Sequence, residues 1–136
     1  MDPVNLVLIF VAVFFGFKIF QNLTAMKPAE AAQLVESGQA VIIDVREPGE
    51  WSGGVAGPAL LLSLTDLRGS RRQWRSALEA HKGKQLLLYC ASGMRSGMAA
   101  RTLKREGHAA QNLGGFGRWA RSGLPTRKPS AKEMRA

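Results

Sequence analysis

From its amino end the chain divides into an apolar opening and a basic remainder of short apolar runs set between polar ones. Val4 to Phe20 is almost wholly apolar, on every face a helix would present, so it does not read as a surface helix with one buried stripe. As a helix it spans roughly 25 Å, near the short limit for a hydrocarbon core of roughly 30 Å. Lys18 near one end can extend its amine toward lipid headgroups. A cleaved signal peptide fits less well, because only Asp2 is charged before the run and no small-x-small site follows at once. The pattern therefore predicts a transmembrane helix over 1–23 and a linker over 24–27. Lys18 and Lys27 follow the run and no basic residue precedes it. The positive-inside rule then places the N-terminus outside and the domain in the cytoplasm, in a single-pass protein of a bacterial inner membrane.

The remainder alternates strand and helix signals. Pro28 suits a first helical turn, Ala29 to Glu36 favour helix, and Ser37-Gly38 stop it. Ala40 to Val45 is a continuous, β-branched apolar run of the kind buried in parallel sheets. Glu47 to Pro58 is rich in glycine and proline and reads as loop, with a second short strand over Ala59 to Leu62. Thr65 to Ala80 reads as one or two helices, with Thr65 as the cap. Gln85 to Cys90 is the clearest strand. Gly93 to Arg105 turns from loop into helix, Ala109 to Leu113 is a third buried strand, and a short helix follows near Trp119. The basic end, 126–136, reads as a frayed tail. Alternation of this kind predicts an α/β domain over 28–125, a parallel sheet flanked by helices and preceded by one transmembrane helix.

Charge and cysteine count narrow the partners. Net charge is +9 and the isoelectric point is about 10.6, which draws the chain toward anionic solutes or surfaces. Arg68, Arg71, Arg72 and Arg75 lie at helical spacing, a solvated face or a contact for anionic headgroups of the bilayer. No nucleic-acid motif or interleaved aromatic platform accompanies them, so nucleic acid is not an expected partner. A single cysteine excludes an internal disulfide and, with only two histidines, leaves no ligand set for a structural zinc. No metal and no cofactor is expected.

That cysteine has a specific address. Cys90 closes a strand and is followed by Ala91, Ser92, Gly93, Met94, Arg95 and Ser96 before a helical run. In open α/β sheets ligands bind at the carboxyl ends of strands. There a cysteine faces the free N–H groups and positive end of the next helix, and both favour the reactive thiolate. Gly93 lets the backbone curl into an anion-binding nest, Arg95 adds charge, and Ser96 can cap the helix. A small buried hydrophobe is the plain alternative for a lone cysteine.

Cys90-x-x-Gly93-x-Arg95-Ser96 resembles the active-site loop of single-domain rhodaneses, which are sulfurtransferases. Val41 to Trp51, with Asp44-Val45-Arg46 at its centre, resembles the family's first-strand motif. Leu113-Gly114-Gly115-Phe116 through Trp119 to Pro125 resembles its closing segment. The resemblance covers 28–125 and implies a rhodanese-like fold. It also implies a reaction in which Cys90 takes a sulfane sulfur from a small anionic donor, of thiosulfate or polysulfide and persulfide type. The Cys90 persulfide then passes that sulfur to a thiol or cyanide, while Ala91 to Ser96 cradle it. Phosphatases of related fold have one residue more between cysteine and arginine. The four residues here, Ala91 to Met94, make a cradle better sized for one sulfur atom. A catalytically quiet rhodanese-like binding module at the membrane is the alternative.

Asp44 and Arg46 are the expected supporting residues. Asp44 hydrogen-bonds the Cys90 loop or pairs with Arg95, or else caps a turn. Arg46 is expected to pair with Glu50 and shape the connecting loop. Trp51 and Trp119 are expected to pack. Some relatives that use thiosulfate carry a basic residue just after the cysteine. Ala91 and Ser92 are neutral, so Arg95 and backbone donors are left to meet the anion.

Overall fold

The computed structural model describes residues 1–24 and 26–135, with side chains described outside 18–25; Ala25, in the expected linker, lies outside the described residues. Its core is a four-stranded parallel sheet: β1 (Ala40–Asp44), β3 (Leu60–Leu61), β4 (Gln85–Cys90) and β5 (Ala110–Gly115). The order across the sheet is β3-β1-β4-β5, which puts the cysteine strand at its centre. Such a strand is buried on both sides, which is why β1 and β4 read as continuous apolar runs.

Alternate residues of these strands feed two cores. Val41, Ile43, Leu86, Leu88 and Cys90 pack with Leu67, Trp74, Ala99 and Leu103. Those partners come from α4 (Leu64–Arg68), α5 (Arg72–Ala80) and α6 (Met94–Arg105). On the other face Ala40, Ile42, Leu87 and Tyr89 pack with Ala31, Trp51 and Trp119. These come from α2 (Pro28–Glu36), α3 (Pro48–Trp51) and α7 (Phe116–Arg121). Both tryptophans are packing residues, as expected, and both are anchored by their indole N–H: Trp51 on Asp44 and Trp119 on the Pro125 carbonyl.

Local signals differ from the expectation in several places. Ser63, not Thr65, caps α4, its Oγ accepting from Asp66 N–H at 3.2 Å. Thr65 instead donates to Glu47. The loop over 47–58 contains α3 and a short strand, β2 (Val55–Ala56). The basic end is ordered rather than frayed: β6 (Thr126–Arg127) pairs antiparallel with β2, and α8 (Ala131–Arg135) follows. The Arg127 fork closes this end by gripping Glu133 with two bonds of 2.9 Å. The arginines from 68 to 75 do not share one helix face, because the chain turns between α4 and α5. Arg71 sits in the turn with φ 58° and pairs with Glu106.

The expected membrane anchor is corrected. The opening run does form a helix, α1 (Pro3–Thr24), yet among the described residues no helix is long and apolar enough to cross a membrane. The uninterrupted apolar stretch, Leu6 to Phe17, ends at Lys18. It spans about 18 Å as a helix, well short of a hydrocarbon core of roughly 30 Å. The single-pass topology, the bilayer partner and the cytoplasmic placement of the domain that rested on this helix therefore fall with it.

Candidate functional site

The site is built where β4 ends. Leu86, Leu88 and Cys90 point to the α6 side, so strand alternation alone aims Sγ at the start of that helix. The turn between them needs Gly93, which takes φ +94° and whose N–H donates to Cys90 Sγ at 3.0 Å. Ser96 does not cap α6; Gly93 occupies that position. Ser96 lies in the first turn, fully buried, with Oγ 3.3 Å from Sγ and 2.7 Å from Asn112 Oδ1.

Burial pushes the Cys90 thiol up, but hydrogen bonds from the Ser96 hydroxyl and from the N–H groups of Ser96, Gly93 and Ser92 outweigh it. The net effect holds the thiol below its ordinary value. The arrangement therefore favours a thiolate at the bottom of a ring of N–H donors, chemically a nucleophile in a pre-formed anion cradle. Ala91, Ser92 and Met94 form the exposed rim of that ring.

Arg95 was expected to meet the anion. Its guanidinium instead forms a two-pronged pair with Glu50, at 2.6 and 2.8 Å. Arg95 holds the Glu50 carboxyl at about 2, well below the usual carboxylate range. The expected partnership of Arg46 with Glu50 is thereby replaced. Arg46 pairs with Asp44, Nη2 to Oδ2 at 2.8 Å, and also donates to the Gly54 carbonyl. Its guanidinium lies 4.7 Å from the centre of the Phe116 ring, itself stacked on Tyr89. Asp44, fully buried, accepts from Arg46 and from Trp51 Nε1 and, among the described residues, makes no bond to the Cys90 loop or to Arg95. Both residues therefore shape the β1–α3 connection, one layer away from the sulfur.

The floor beneath the loop comes from β5 and was missed in the sequence. A bulge lets Leu88 pair with Asn112 while Tyr89 pairs with Gly114. That register slides Gly114 and Gly115 under the cysteine loop. A Cβ on Gly115 would lie 2.6 Å from the Ala91 carbonyl oxygen, so only glycine fits. Asn112 lies two residues before Gly114-Gly115 in a strand that also carries the polar Gln111, so the local pattern did not single it out.

A parallel α/β sheet with a cysteine cradled at a strand's carboxyl end defines a class of cysteine-dependent α/β domains. Within that class, residues 27–122 match the model of the rhodanese-like domain. The chain belongs to the rhodanese-like domain family. It is 34% identical over 101 residues to a sulfurtransferase of Allochromatium vinosum, covering 71% of this chain and 87% of that protein. It is also 39% identical over 83 residues to the uncharacterized protein YqhL of Bacillus subtilis (strain 168). That match takes in 60% of this chain, and the chain spans only 61% of the Bacillus protein. The rhodanese-related protein of Thermoplasma volcanium superposes with a TM-score of 0.64 at 25% identity, covering 77% of this chain and 98% of that one.

Proposed function

We propose that residues 28–125 form a sulfurtransferase unit that carries a sulfane sulfur on Cys90. The observation that carries this reading is the convergence of Gly93 N–H and Ser96 Oγ on a buried Sγ whose thiol is held low. In the first step the Cys90 thiolate attacks the outer sulfur of the donor. A new S–S bond forms, the donor's own bond to that sulfur breaks, and its remainder leaves with the electron pair, as sulfite from thiosulfate or as a thiolate from a persulfide. In the second step an acceptor thiolate or cyanide attacks the outer sulfur of the Cys90 persulfide and the Cys90 thiolate returns. The N–H groups over Ala91 to Ser96 stabilise the anion at each stage.

The surroundings of the loop favour one class of donor. Arg95 is already neutralised by Glu50, and the rim residues Ala91, Ser92 and Met94 carry no charge. A doubly charged thiosulfate would meet backbone dipoles and an arginine already paired, so a singly charged persulfide is the better-matched donor. Cys90 itself is fully buried, so the rim must move aside to admit even that. The test is mass analysis of the intact chain after incubation with an organic persulfide or with thiosulfate. The expected result is one added sulfur atom on Cys90, gained faster from the persulfide, returned on adding a thiol, and absent in Cys90→Ser. A folded chain that takes no sulfur from either donor overturns the reading.

A further inference from the structure

We infer that Asn112 is a positioning residue for the Cys90 nucleophile, holding in register the two groups that donate to its sulfur. Three bonds carry the inference. Asn112 Nδ2 donates to the Gly93 carbonyl at 2.9 Å, Oδ1 accepts from Gly114 N–H at 2.9 Å, and Oδ1 accepts from Ser96 Oγ at 2.7 Å. The amide can face only one way, because a carbonyl needs a donor and an N–H needs an acceptor. One side chain on β5 thus grips both Gly93, whose N–H meets Sγ, and Ser96, whose hydroxyl meets Sγ. The fit is close: a Cβ on Gly97 would lie 3.1 Å from Asn112 Nδ2.

The arrangement suits a charge that moves. The Ser96 hydroxyl has one proton and two acceptors, Sγ and Asn112 Oδ1. Opposite a Cys90 thiolate the Ser96 O–H points at sulfur and donates to it. Once the sulfur is loaded, charge shifts to the outer atom, Sγ becomes a poor acceptor, and the proton turns to Asn112. Ser96 is then never a buried donor without a partner, an arrangement that would cost about 1–3 kcal/mol. Asn112 takes that proton in the loaded half of the cycle, while its bond to the Gly93 carbonyl holds the loop in both.

This role rests on Cys90 being the sulfur carrier, but its test does not need sulfur transfer. The measurement is the pH dependence of Cys90 alkylation by iodoacetamide in the full chain, with denaturation midpoints recorded alongside. Asn112→Ala should raise the thiolate midpoint by about half a unit or more and slow persulfide formation from polysulfide about tenfold. Asn112→Asp keeps the oxygen for Gly114 and Ser96 but cannot donate to Gly93 and sets a carboxylate near the sulfur. It should raise the midpoint further, and it serves as the test if the alanine variant does not fold. A folded alanine variant with the wild-type midpoint, or a lower one, overturns the role. The lower value would mean that Asn112 only competes with sulfur for the Ser96 proton. Wild-type chain that alkylates with a low midpoint yet accepts no sulfur would sink the sulfurtransferase reading and leave this one standing.

Discussion

At the scale of single residues the site depends on two atoms near Sγ and one glycine beneath it. Hydrogen bonding holds the Cys90 thiol low, so the thiolate is present above that midpoint and is lost as pH falls through it. The loading rate should therefore be flat at alkaline pH and fall about tenfold per unit on the acid side. Ser96→Ala removes one donor and should move this acid limb to higher pH, measured by alkylation rate, while leaving Gly93 N–H in place. Gly115 is the steric counterpart. Gly115→Ala forces its methyl against the Ala91 carbonyl, so β5 or the loop must shift. That overpacking should cost about 1–3 kcal/mol in urea denaturation and slow sulfur loading as well.

At the scale of elements, two ion pairs of different character brace the loops. Asp44 and Arg46 are both buried, and each leaves the other an uncompensated charge if removed. Arg46→Ala should cost about 3–5 kcal/mol, because Asp44 then keeps neutral donors, among them the Trp51 indole and the backbone N–H at position 46, in place of a guanidinium. The Glu50–Arg95 pair is about one-third exposed and screened by water. Glu50→Gln should cost less than about 1 kcal/mol at neutral pH. Since the folded Glu50 carboxyl is lowered to about 2, its contribution is complete above the ordinary carboxylate range and fades as pH falls toward that value. Denaturation of wild type and variant should thus differ at pH 7 and converge near pH 2. The element that reasoning from sequence placed least well is the 47–58 loop. Its α3 and β2 are held by Asp44, Arg46 and the β6 strand rather than by local propensity.

For the molecule as a whole, the described side chains of α1, Pro3 to Phe17, lie outside the domain's two cores. Every one of them is exposed. The described domain accordingly draws no packing energy from it. Deleting residues 1–24 should leave the urea midpoint unchanged and raise solubility, read by denaturation and by light scattering. A fall in the midpoint would show that the helix packs onto the domain.

The sequence by itself determined the alternation of strands and helices, the two-sided burial of β1 and β4, and the address of Cys90. All three follow from local periodicity and from a strand ending in a glycine-bearing turn. It also carried the family motifs over 28–125. Only the tertiary structure decided which charges meet. Asp44 ends β1, Arg46 follows it on a loop, Glu50 lies in α3 and Arg95 in the first turn of α6, and what brings them together is set by strands paired across the sheet, so either pairing satisfied the sequence. The structure chose Asp44 with Arg46 and Glu50 with Arg95. The Asn112 grip likewise required a one-residue bulge in β5, a register event that leaves no mark in hydrophobic patterning. Helix length was legible, and so was Lys18, the charge that leaves the uninterrupted apolar run of α1 too short to cross a membrane.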